Sequence, residues 1–171
     1  MLIKDLLIQQ FPWKPTSQQN AVFDLLANFL TSFNTQDCFI LKGYAGTGKT
    51  TIISALVKTL PFLRKKVVLM APTGRAAKVM GHYSGRTAWT IHKKIYRKKN
   101  AVSFQMDFTL AENLHENTLF IIDESSMISN ESVNIFSKSL LDDLIGYVRC
   151  GKNCSLMFVG DTAQLPPVGL W

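Results

Sequence analysis

Cysteine is scarce in this chain, and acidic residues are outnumbered. Only Cys38, Cys150 and Cys154 occur in 171 residues. No two of them form a C-x-x-C pair, and the three histidines are not near them at zinc spacing, so neither a disulfide framework nor a structural zinc site is expected. Cys38 and Cys154 lie within or beside apolar runs, which predicts buried thiols in a reducing compartment. No apolar run approaches the ~20 residues that cross a bilayer, and the stretch from Met1 to Ile8 is too short and too charged for a secretion signal. Internal repeats and low-complexity tracts are lacking as well. These absences predict a cytoplasmic protein with no membrane partner. The acid deficit, 12 Asp and Glu against 19 Lys and Arg, leaves a net charge of +7. Such a balance favours an anionic partner, with nucleic acid first.

Other properties are those of one globular domain. Hydrophobic residues make up 47% of the chain and charged ones 18%, which excludes a disordered polymer. A chain of this length buries about 70% of its unfolded surface, so a hydrophobic core suffices to hold it.

The stretch from Phe39 to Ile53 organises the rest. An apolar run ends at Gly43, a glycine-rich loop follows, and a helical pattern begins near Lys49. Gly43 to Thr50 fits the phosphate-loop pattern G-x-x-x-x-G-K-[ST]. Glycines let the backbone take positive φ and approach phosphate oxygens closely. The N–H groups of Ala45, Gly46, Thr47, Gly48, Lys49, Thr50 and Thr51, with the positive end of the helix, would form an anion cradle. Lys49 can reach the β- and γ-phosphates, and the Thr50 hydroxyl can ligate Mg²⁺. The expected ligand is ATP with Mg²⁺.

Before this loop, Thr16 or Ser17 caps a helix carrying Val22, Phe23, Leu25, Leu26, Phe29 and Leu30. Gln18 and Gln19 sit in its first turn. Either amide can donate and accept, as reading an adenine edge requires, and either is equally an ordinary solvated residue. After the loop, a helix runs to Leu60 and stops at Pro61. Val67 to Ala71 is a continuous apolar run, the pattern of a strand covered on both faces. Pro72, Thr73 and Arg75 follow its end, where loops of open α/β sheets form the binding crevice. Thr73 is equally a helix cap.

Between residues 86 and 99, Trp89 and His92 stand among Lys93, Lys94, Arg97, Lys98 and Lys99. Aromatic and basic side chains together suit a single strand, with bases stacked and phosphates neutralised. Val102, Phe104, Met106 and Phe108 alternate with polar residues and predict a strand or small hairpin with one apolar face. Leu119 to Ile122 is an apolar strand that delivers Asp123 and Glu124. With a phosphate loop upstream, this is the Walker B arrangement: Asp123 for the Mg²⁺ shell and Glu124 as general base. A helix with Val133, Phe136, Leu140, Leu141, Leu144 and Ile145 on one face is expected next. Ser155 to Gly160 is the last strand, followed by Asp161 and Gln164, the latter a γ-phosphate sensor or a plain loop amide. Strands alternating with helices predict an α/β fold with a mostly parallel sheet covered by helices on both faces.

Four blocks, Gly43–Thr50, Ala71–Lys78, Asp123–Met127 and Gly160–Val168, together with Thr90-Ile91-His92, resemble the superfamily-one DNA helicases of the RecD and Dda type. The resemblance implies a P-loop NTPase of RecA-like fold over residues 1–171, with a small hairpin insertion at about 100–117. It implies ATP-dependent movement 5′→3′ on single-stranded DNA, in DNA repair or recombination. By the same resemblance Gln19 is the adenine-reading glutamine, with Gln18 its close competitor. Gln164 couples the γ-phosphate to the DNA site, and Pro72, Thr73 and His92 line the strand. Phe104 or Phe108 is then a wedge or base-stacking residue. The family needs a second RecA-like domain to supply arginines to the γ-phosphate. This chain is therefore expected to be a piece of a longer protein, with completion by a partner the alternative, and weakly active alone. The alternatives are a non-catalytic nucleotide-binding module and an RNA-directed motor of the same superfamily.

Overall fold

The computed structural model describes residues 2–32, 37–98, 108–128 and 139–161. The chain opens with helices α1 (Ile3–Gln10) and α2 (Ser17–Thr31), then strand β1 (Cys38–Lys42) and helix α3 (Lys49–Thr59). Next come β2 (Lys66–Ala71), α4 (Gly74–Ser84), β3 (Ala88–Thr90), α5 (Ile91–Ile95) and the short β4 (Tyr96–Lys98). The described part closes with β5 (Phe108–Leu110), β6 (Thr118–Ile122), α6 (Leu140–Arg149) and β7 (Ser155–Gly160).

Five strands form one parallel sheet in the order β1-β7-β6-β2-β3, so every strand's C-terminal end lies along the same edge. Continuous apolar runs make this possible, because alternate residues of β2, β6 and β7 enter opposite cores. Leu69, Leu119, Ile121, Met157 and Val159 pack on one face with Leu7, Phe23, Leu26, Ile53 and Leu56 from α1, α2 and α3. Val68, Met70, Phe120, Ile122, Leu156 and Phe158 pack on the other with Ile91, Ile95, Leu144 and Val148 from α5 and α6. The sheet expected from the sequence, parallel and covered on both faces, is the one observed.

Local expectations fared unevenly. Thr16 caps α2: its Oγ1 accepts from Gln19 N at 3.2 Å while Gln19 Oε1 accepts from Thr16 N at 3.0 Å. Pro61 ends α3 as expected but enters a 3₁₀ turn, Leu60–Leu63, where its missing N–H costs nothing. Cys154 is buried, whereas Cys38 is exposed. The reason is position: β1 lies at the end of the sheet, and its residues Cys38 and Ile40 stay exposed. The single helical face expected from Val133 to Ile145 is cut at Ser139, whose extended backbone (ψ 156°) starts α6. Ser139 Oγ accepts from Asp142 N at 3.1 Å, a side-chain cap that competes with helix continuation. Val133 and Phe136 lie outside the described residues. β4 and β5 form an antiparallel pair whose first arm, Tyr96–Lys98, lies before the stretch expected to hold the hairpin. Val102, Phe104 and Met106 also lie outside the described residues. Among the described residues no helix is long and apolar enough to cross a membrane.

Candidate functional site

The shared edge of the sheet gathers most of the residues singled out in the sequence. β1 runs directly into the loop Gly43–Gly48, and α3 begins at Lys49. The loop is held in shape by its own backbone. Gly43 N donates to Gly160 O at 3.4 Å, and both Thr47 N and Thr47 Oγ1 donate to Tyr44 O, at 3.3 and 2.8 Å. Gly46 and Gly48 take φ of +79° and +88°, a region that side-chain-bearing residues avoid. A Cβ on Gly43 would lie 2.8 Å from Thr47 Oγ1, so a side chain there would have to displace that hydroxyl from its bond to Tyr44 O. Gly48 caps α3 with no side chain to offer. The first-turn N–H groups of Lys49, Thr50 and Thr51 therefore point out of the helix end with its positive dipole. Loop N–H groups, helix end and lysine make a fitting cradle for a polyphosphate.

Lys49 Nζ donates to the carbonyls of Gly43 and, at 2.8 Å, Tyr44, which holds its charge over the loop. Gln19 joins the same loop from α2: its Nε2 donates to Thr47 O at 3.4 Å. Gln18 is exposed in the turn beside it. The structure thus brings Gln19, Gly43, Ala45, Gly46, Thr47, Gly48, Lys49, Thr50 and Thr51 together.

Asp123 and Glu124 follow β6, which is separated from β1 by β7 alone. At ~4.8 Å per strand the two strands run about 10 Å apart. Asp123 N donates to Met70 O at 3.0 Å and prolongs the β-ladder. Its Oδ1 accepts from Glu124 N at 2.9 Å. Its Oδ2 accepts from the Tyr83 hydroxyl at 2.6 Å. Glu124 adopts φ +51°, a strained conformation for a residue with a Cβ, and this bend launches the 3₁₀ turn Ser125–Met127. Ser125 Oγ donates to Val159 O at 2.9 Å and ties the turn to the neighbouring strand. The donor set for Mg²⁺ would be the Thr50 hydroxyl and the Asp123 carboxylate. One or two protein oxygens completed by phosphates and waters is the usual way this ion is held. Among the described residues no group of three His, Cys, Asp or Glu side chains forms a closed cage for a metal.

The nucleic-acid candidates lie on the β2–β3 side of the same edge. Pro72 and Thr73 are half-buried beyond β2, and Arg75 is exposed on the first turn of α4. Thr73 Oγ1 accepts from Ala76 N at 3.2 Å, so this residue caps its helix. His92 is exposed on α5, with its ring 5.6 Å from that of Tyr96. A groove beside it is lined by Trp89, Lys93, Lys94, Tyr96 and Arg97, with Lys94 Nζ 5.7 Å from the Trp89 ring centre. Burial holds the Lys94 ammonium below its ordinary value. Tyr96 Oη donates to Asp143 Oδ2 at 2.6 Å and ties the hairpin to α6. Phe108 is 55% exposed on the returning arm. Gln164 and Phe104 lie outside the described residues.

Sequence reasoning missed Tyr83 altogether. Ala76, Met80 and Tyr83 recur at helical spacing on α4, so the tyrosine reads as one more core-facing ring. Burial first, then the bond to Asp123 and the two nearby carboxylate charges, push its phenol far above the ordinary value. It is a neutral hydrogen-bond donor at any working pH.

Comparison with known proteins bears on the same edge. The family described as "AAA domain" matches residues 28–170, which include the phosphate loop, Asp123 and Glu124. An ATP-dependent RecD2 DNA helicase of Deinococcus radiodurans is 31% identical over 159 residues, covering 90% of this chain. The ATP-dependent DNA helicase dda of Enterobacteria phage T4 is 29% identical over 133 residues, covering 75% of this chain. The chain belongs to this family, as a superfamily-one helicase of the RecD and Dda type. Its fold is that of the Pif1 helicase from Candida albicans, with a TM-score of 0.54 and 20% identity over 92% of this chain. The chain spans 18% of the RecD2 relative, 28% of the dda relative and 34% of the Pif1 chain.

Proposed function

We propose that this domain uses ATP hydrolysis to move a longer protein 5′→3′ along single-stranded DNA, in repair or recombination. One observation carries the reading: a single sheet edge bears both the phosphate cradle with its acidic pair and the aromatic, basic groove beside His92. Lys49 and the loop amides bind the phosphates, and Gln19 meets the adenine. Thr50 and Asp123 hold Mg²⁺, which when bound neutralises charge on the phosphates. Glu124 accepts a proton from the attacking water. Gln164 reports the γ-phosphate to the strand. Pro72, Thr73, Arg75 and His92 follow the DNA backbone, and Phe104 or Phe108 stacks on a base or wedges the duplex. A second RecA-like domain of the longer protein supplies the arginines that speed turnover, by about a thousand-fold or more in comparable enzymes.

The test measures ATP hydrolysis with and without single-stranded DNA, for this chain, the longer protein and its Glu124→Gln variant. DNA-stimulated turnover in the longer protein, falling by roughly 10²–10⁴ in the variant, is expected. Duplexes with a 5′ tail should open, and those with a 3′ tail should not. No turnover in either length would leave a nucleotide-binding module, and the motor reading would be wrong.

A further inference from the structure

Among the described residues the Tyr83 hydroxyl has one partner, and it is the carboxylate read above as the Mg²⁺ holder. We propose that Tyr83 is a positioning residue: it fixes the Asp123 carboxylate in the orientation that receives the metal of a bound Mg²⁺–nucleotide. The inference rests on the reading of Asp123 as a metal ligand and adds to it a residue that no sequence motif contains.

The geometry is specific. An O–H···O⁻ bond of 2.6 Å is in the short, charge-assisted range. The second oxygen, Oδ1, is pinned at 2.9 Å by the N–H of Glu124. Two donors on two different oxygens stop the carboxylate from rotating about its last bond. Among the described residues each oxygen accepts one hydrogen bond, and a carboxylate oxygen can accept a second partner such as a cation or its water. Tyr83 itself is held from below, because its ring packs against the core formed by α1, α2 and α3. It also stands near the end of α4, whose first turn carries Arg75. The donor therefore rides on a packed helix and not on a loop. Partners that orient a metal ligand in this way commonly change metal affinity about 10–100-fold when removed.

Tyr83→Phe deletes the hydroxyl and keeps the ring, so the core packing survives. The readout is equilibrium binding of a fluorescent ATP analogue as Mg²⁺ is titrated, without turnover. Wild type, Tyr83→Phe, Asp123→Asn and the double variant are compared in the longer protein. The half-saturating Mg²⁺ concentration should rise about ten-fold in Tyr83→Phe, with nucleotide affinity in EDTA and the melting temperature little changed. In the Asp123→Asn background the same change should add nothing, since residues acting through one group are not additive. An unchanged Mg²⁺ requirement in Tyr83→Phe, or an equal shift in both backgrounds, overturns the proposal. If Asp123→Asn itself leaves the Mg²⁺ requirement intact, the metal-ligand reading fails and takes the proposal with it.

Discussion

Gly48 carries two constraints at once. Its φ is +88°, and a Cβ there would sit 2.8 Å from the Gln19 amide nitrogen. Gly48→Ala should therefore cost about 1–2 kcal/mol from the backbone alone and push Gln19 off the loop. Urea unfolding would show the first effect and weakened ATP-analogue binding the second. His115 offers a pH test. Burial, then the charges of Lys94 and Lys66, hold its imidazole below the ordinary 6.5. The folded state thus binds fewer protons than the unfolded chain as pH falls past that value. The His115 contribution is complete above 6.5 and is lost below it. Unfolding midpoints should fall between pH 7.5 and 5.5, and by less in His115→Gln. At this scale the sequence was a good guide to position wherever a pattern fixes residue type: the glycines, Lys49, Thr50 and the acid pair stand at the loop and strand ends expected of them. Tyr83 was not legible, because nothing in a helix marks which buried ring has a carboxylate above it. Cys38 misled for the opposite reason: its apolar neighbours give no hint that β1 ends the sheet.

The elements differ in how firmly they are set. α6 starts where Ser139 interrupts, and Ser139→Ala should cost about 1 kcal/mol, read as a shift in the urea midpoint. The β4–β5 pair is only three residues long on each arm. The Tyr96–Asp143 bond joins it to α6. Phe108→Ala in the longer protein should reduce opening of a tailed duplex several-fold while sparing DNA-stimulated ATP hydrolysis. Equal loss of both activities would assign Phe108 to folding and not to the duplex junction. Strands β1, β2, β6 and β7 were legible as uninterrupted apolar runs between turn signals. β3 was not, since Ala88-Trp89-Thr90 is too short for a pattern and its tryptophan is turned outward.

Across the whole molecule the excess of base over acid is the quantity to test. Binding of single-stranded DNA by the longer protein should weaken steeply with salt, by about 0.7 in the log–log slope per phosphate neutralised. Lys93→Ala and Arg97→Ala should each flatten that slope by roughly this amount if the groove holds the strand. Unchanged slopes would move the strand elsewhere. The strand order could not be deduced from the sequence, because parallel neighbours are chosen by crossovers that leave no local mark. It decides more than the location of the site. With every strand of the five-stranded sheet pointing the same way, Cys38 opens β1 at the end remote from the phosphate loop, and Cys150 closes α6 just before β7 begins. Both thiols are exposed, while Cys154 is sheltered. Maleimide dyes can therefore be attached to this protein at the far end from its chemistry without engineering a single cysteine. The same accessibility makes Cys38 and Cys150 the places where air oxidation will link one molecule to another, so stocks belong in reductant.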